Sequence, residues 1–145
     1  MNMSGFPRLL SGLSATVLTV SVVHAQQAPA AASPLYVSKP IMVSPLTGDD
    51  RKEIVLLSVS IEPTGAVPLH THPGDCVGSV VDGAVELLVD GQAPRRIAAG
   101  DAYSNLRGTV HGFRNVGTTP ARLLNNLVVD KGAPRVQIVA PAAKP

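Results

Sequence analysis

Residues 65–83 read GAVPLHTHPGDCVGSVVDG, and this stretch sets how the rest of the chain is to be read. His70 and His72 are two apart, so on a strand, where side chains alternate, both project from one face. Two imidazoles held side by side make half of a metal site. A lone His-x-His pair has a blander reading as well, two solvent-facing histidines at a strand end. Beyond the pair, Cys76–Val81 and Ala84–Val89 are short β-rich runs separated by Asp82-Gly83. That dipeptide suits a type I′ hairpin, whose two central residues both need positive φ. Asp90-Gly91 repeats the signal, so a three-strand meander is expected to continue into Ala93–Ala98.

The pattern extends in both directions. Glu53–Glu62 (EIVLLSVSIE) is rich in β-branched residues and partly alternating, and further strands are expected at Ala102–Leu106, Val110–Val116, Arg122–Val129 and Arg135–Val139. Turn residues recur every 8–12 residues and no long stretch has a helical period, which predicts an all-β sandwich or small barrel. The chain has 145 residues, enough for one domain, and 45% are hydrophobic, too many for disorder. The formal charge is only +2 and Lys and Arg form no run, which argues against nucleic acid or an anionic membrane surface as a partner. A single Cys excludes an intramolecular disulfide framework.

The N-terminus reads as an export signal. Arg8 precedes an apolar, small-residue run from Leu9 to Val23, and Val23-His24-Ala25 fits a cleavage site before Gln26. About 15 apolar residues fall short of the roughly 20 that span a bilayer. Expected divisions are therefore a signal peptide over 1–25, a Pro/Ala linker over 26–34, a β-domain over 35–139 and a tail over 140–145. The mature protein is expected to be periplasmic or secreted and free of the membrane. It keeps three of the four histidines, His70, His72 and His111.

Two stretches resemble the paired motifs of the cupin family. In the first motif a Gly leads into His-x-His, a Glu follows three or four residues later, and a Gly closes after six more. His70, His72 and Gly83 match, and Cys76 stands where the family has its Glu. The second motif reads Gly, five residues, Pro-x-Gly, two residues, His, three residues, Asn. Gly100–Asn115 (GDAYSNLRGTVHGFRN) matches it at Gly100, Gly108, His111 and Asn115, with Leu106 in place of the Pro. The resemblance implies a cupin-type jelly-roll β-barrel, a double-stranded β-helix, in which His70, His72 and His111 share one divalent transition metal.

By the same resemblance, Cys76 would be the fourth ligand. A soft thiolate beside three imidazoles favours Cu, Zn or Fe over manganese. The other reading makes Cys76 a small buried apolar residue lining the barrel. Asp75 is a third candidate, although strand alternation points it away from the face that Cys76 uses. Phe113, two beyond His111, shares the inward face and reads either as a core aromatic or as a pocket residue beside the metal, and the Tyr103 hydroxyl is a second candidate for the substrate pocket. Arg107 and Arg114 read as solvated rim charges, with anchoring of a substrate carboxylate at the barrel mouth as the alternative, Asn115 as a turn-bonding residue, and Glu86 as an outward-facing polar position.

Three functions follow from these residues. An open three-His site in an exported cupin suits a small-molecule oxidoreductase of the dioxygenase type. A closed His3Cys site suits a non-enzymatic module that binds metal or a small ligand. A lone Cys outside the cytoplasm could also act as a thiol redox sensor. A small-molecule ligand or substrate is the expected partner. The segments Pro40–Pro45 and Arg135–Val139 supply edge strands through which a homodimer could form.

Overall fold

The computed structural model describes Met1 and residues 35–140; the expected signal peptide and linker and most of the expected tail lie outside them. Ten strands and no helix appear among the described residues: β1 (Tyr36–Leu46), β2 (Asp49–Ile61), β3 (Ala66–Thr71), β4 (Gly74–Asp82), β5 (Ala84–Val89), β6 (Arg95–Ala98), β7 (Ala102–Asn105), β8 (His111–Asn115), β9 (Ala121–Asp130) and β10 (Gln137–Ile138). They form two five-stranded sheets, in the orders β1-β2-β9-β4-β7 and β10-β3-β8-β5-β6. Every pairing is antiparallel. This is a jelly roll.

Alternation builds the core. Along β2, Val55, Leu57, Val59 and Ile61 are buried; along β9, Ala121, Leu123, Leu127 and Val129 are. Val85 and Leu87 of β5, Ile97 of β6 and Phe113 of β8 supply the second sheet's share. Each fully buried Val, Leu, Ile or Phe among them stabilises the fold by roughly 1.5–3 kcal/mol relative to exposure.

The expected meander is corrected. β5 pairs with β6 and β8, whereas β4 pairs with β7 and β9 in the other sheet. Asp82-Gly83 therefore carries the chain from one sheet to the other. A type I′ turn needs positive φ at both central residues, and here only Gly83 has it, at 74°. The Asp90-Gly91 signal does fall between paired strands, β5 and β6, within a longer loop.

Two strands at open edges bear on the site. β1 ends the first sheet and β10 ends the second. Pro40 and Pro45 sit in β1, where a missing N–H is tolerated because one side of an edge strand has no ladder to complete. The expected strand over Arg135–Val139 shrinks to the two residues of β10, which pair with Thr71 and His70 of β3.

Candidate metal centre

His70 and His111 are directly opposed across β3 and β8. β3 loses register with β8 between Val67 and His70, and Pro68, which has no N–H to give the ladder, lies in that interval. The freed Pro68 carbonyl turns to the His70 ring, accepting from Nδ1 at 2.7 Å. Gly112 lets the irregular strand press close, since a Cβ there would stand 2.7 Å from the Val67 carbonyl oxygen. His72 follows β3 directly and points inward with His70.

All three rings are anchored in the same way. His72 Nδ1 donates to the Arg135 carbonyl at 2.6 Å and His111 Nδ1 to the Thr109 carbonyl at 2.9 Å. A carbonyl can only accept, so each ring carries its proton on Nδ1 and leaves Nε2 as a bare lone pair. Such outer hydrogen bonds are the usual device that orients a metal-ligating histidine. The three side chains are buried and their ligand atoms lie within 4.8 Å of one another. Burial lowers the pKa of all three. For His111, burial and the neighbouring His70 and His72 bring it to about 4. All three imidazoles are thus neutral near pH 7, the form that binds metal.

The geometry suits a single ion. An ion about 2.1 Å from each Nε2 lies roughly 3.2 Å from each ring centroid, so rings at right angles around it have centroids roughly 4.6 Å apart. The observed separations are 4.8 Å for His70 and His72, 4.3 Å for His70 and His111, and 5.1 Å for His72 and His111. Donor type, tautomer and spacing all fit a transition metal.

The profile described as Cupin domain matches residues 57–129, just over half of the chain. The chain belongs to the cupin family. Solved structures similar to this cupin include an oxalate oxidase in complex with the substrate analogue glycolate, 26% identical, with a TM-score of 0.53 over 59% of this chain and 46% of that one. A DMSP lyase from Ruegeria pomeroyi is 19% identical, with a TM-score of 0.61 over 75% of this chain and 54% of that one. A cupin-like protein from Thermotoga maritima is 16% identical, with a TM-score of 0.58 over 77% of this chain and 81% of that one. The latter two speak for the fold alone. This cupin spans about half the length of the oxalate oxidase and lyase chains. No curated protein matches it by sequence.

A cavity of about 350 Å³ opens onto two of the three histidines, at the small end of the range for small-molecule sites. His70 and His72 line it, with Leu57, Val59, Val67 and Phe113 as apolar wall. Phe113 is where the sequence reading placed it. Tyr103 is not among the lining residues. It is buried behind the wall, and its hydroxyl donates to Oδ1 of Asn125, a residue that does line the cavity.

Cys76 is 1% exposed and packs in the apolar core with Tyr103. The gathered ligand atoms are those of the three histidines, without its sulfur. Burial pushes its thiol up to about 12. Asp75 faces outward, as alternation required, and accepts from the Arg107 amide at 2.9 Å. Arg107 pairs with Asp130, and Arg114 with Glu86; neither arginine lines the cavity. Asn115 bonds the Ile61 and Thr119 carbonyls and the Gly117 amide, the turn-bonding role its motif position suggested.

Two site residues were missed. Arg135 holds His72 by its carbonyl and pairs its guanidinium with Glu53 at 3.0 Å. Asn125 interrupts the inward apolar series Leu123, Leu127, Val129 of β9, and that interruption was the signal available in the sequence.

Proposed function

We propose that this cupin is an exported protein that holds one divalent transition metal through Nε2 of His70, His72 and His111 and presents it to a small molecule as an oxidoreductase of the dioxygenase type. The observation that carries the reading is the shared tautomer: three Nδ1 protons committed to backbone carbonyls, three Nε2 lone pairs converging beside a cavity. Three protein ligands leave coordination positions for substrate and O₂. An imidazole set suits Fe, Cu and Zn. Bound there, iron or copper supplies Lewis acidity together with one-electron redox chemistry.

The protein's own part is binding, orientation and exclusion of water. The aliphatic wall and Phe113 receive the carbon part of a ligand, and burial keeps all three imidazoles neutral so that an ion does not compete with protons. What supports an open site over a closed His3Cys one is the packing of Cys76 among apolar neighbours, apart from the gathered ligand atoms. The same burial makes Cys76 a poor redox sensor, because the reactive species is the thiolate.

Oxygen uptake by iron- or copper-loaded protein across a panel of small hydroxy and oxo acids tests the reading. Substrate-dependent uptake that disappears in His111→Ala supports it, and a tightly held metal with no uptake on any substrate contradicts it. Export rests on the Arg8 to Ala25 segment, and a mature N-terminus at Gln26 is the expected result of N-terminal sequencing. Copies are proposed to pair through β1, whose Val37, Ile41, Met42 and Val43 are exposed. Sedimentation showing only monomer at high concentration would remove that part.

A further inference from the structure

The wall facing the histidines carries a polar group that metal binding leaves unused. Asn125 is 6% exposed, on the inner face of the sheet opposite β3 and β8. Its Oδ1 accepts from the Tyr103 hydroxyl; its Nδ2 has no protein partner among the described residues but is not sealed off, the one buried side-chain polar atom left without a partner there being Asn105 Nδ2. A donor that reaches a cavity without a protein partner is open to a ligand, and such convergent polar groups are what orient a small molecule in an otherwise apolar site.

The orientation of this amide is built in. Tyr103 of β7 and Asn125 of β9 are both cross-strand neighbours of Gly78 on β4, so the phenol must pass over the Gly78 backbone to reach the amide. A Cβ at position 78 would lie 2.3 Å from Asn125 Oδ1 and 2.5 Å from Tyr103 Cζ. Glycine there opens the passage. Phe113 stacks against the Tyr103 ring with centroids 5.2 Å apart. Burial, with Cys76 adding to it, holds the phenol far above its usual pKa, so it remains an O–H donor. A permanent donor fixes Oδ1 toward Tyr103 and turns the NH₂ to the cavity.

We infer that Asn125 is a substrate-positioning donor, its Nδ2 hydrogen-bonding one oxygen of a small carboxylate or enolate whose other oxygen faces His70, His72 and His111. The inference rests on the metal-site reading for the partner of that second oxygen. Two features on opposite walls select oxygen: an N–H donor on one and a cation site on the other, while Tyr36 and Ser38 line the cavity from the edge strand β1. Arg135 also lines the cavity, but its guanidinium is engaged by Glu53. Tyr103 and Gly78 act through Asn125 and are positioning residues at one remove.

The test uses zinc-loaded, ¹⁵N-labelled full-length protein titrated with glycolate. The Asn125 side-chain NH₂ signal, assigned by its absence from Asn125→Leu, is expected to shift on titration. Calorimetry on the same samples is expected to show affinity falling roughly 10- to 100-fold in Asn125→Leu, the loss of one hydrogen bond to a charged acceptor. Tyr103→Phe, with its backbone spectrum unchanged, should weaken binding by a smaller factor, because the amide is then free to rotate. An unmoved Asn125 signal, affinity within twofold of wild type in Asn125→Leu, or no glycolate binding by zinc-loaded protein overturns the inference. Zinc content is read separately by mass spectrometry. Wild type without zinc contradicts the metal reading, and a glycolate-induced shift of Asn125 in such a sample would still support the donor.

Discussion

Cys76 occupies an inward position of β4, across from Leu127 of β9 and Asn105 of β7, and its surroundings argue for packing rather than chemistry. With the thiol pushed up to about 12, almost none is thiolate at neutral pH. A thiol-reactive dye should leave the native protein unlabelled and label it fully once unfolded. Cys76→Ala should cost about 1 kcal/mol of stability, the price of a small buried side chain, and leave metal stoichiometry unchanged; loss of the metal would make Cys76 a ligand after all. The histidines were legible because motif spacing names them and alternation puts His70 and His72 on one side. The environment of Cys76 was not, because ligand and core residue look alike at that position until the packing around the sulfur is known.

The same scale fixes a pH dependence. Folding lowers the His111 pKa from 6.5 to about 4 and shifts His70 and His72 in the same direction. The unfolded chain therefore binds protons that the folded one refuses. Metal-free stability should hold above about pH 6.5 and decline as pH falls toward 4. Urea denaturation at several pH values checks this, and His111→Gln should flatten the decline. A midpoint independent of pH would contradict it.

At the level of elements, glycines decide how closely strands pass. At Gly74 on β4 a Cβ would stand 1.8 Å from the Val128 carbonyl oxygen, a backbone atom that cannot swing aside. Gly74→Ala should destabilise the protein by more than about 3 kcal/mol. Gly91, with φ at 71° and open space around it, should cost only about 1 kcal/mol on replacement by Ala, from backbone strain alone. Denaturant midpoints of the two variants compare them directly, and equal losses would refute the steric argument. Strand positions were legible from alternation, for instance Arg122–Val129 within β9. Partnerships were not, because Asp82-Gly83 fits a local hairpin while β4 is claimed by β7 and β9 from farther along the chain.

For the molecule as a whole, the cavity lies near the open edges of both sheets: Tyr36, Ser38 and Pro40 come from β1, and Arg135, Val136 and Ile138 from β10 and the segment before it. Chain segments about a hundred residues apart thus meet around one site, and the sequence has no local signal for that. Arg135 shows the consequence, since its carbonyl fixes the His72 ring and nothing in residues 135–139 announces it. A metal bound by these converging segments should stabilise the whole fold by mass action, about 4 kcal/mol at a thousandfold excess over its Kd. Thermal unfolding with and without a chelator reads that difference, and equal midpoints would contradict it.

The most direct measurement is metal content by mass spectrometry on purified wild type, His111→Ala and Cys76→Ala side by side. The three-histidine site predicts about one transition metal per chain in wild type and Cys76→Ala, and a near-complete loss in His111→Ala. Metal-free wild type, or metal that survives removal of His111, would contradict it.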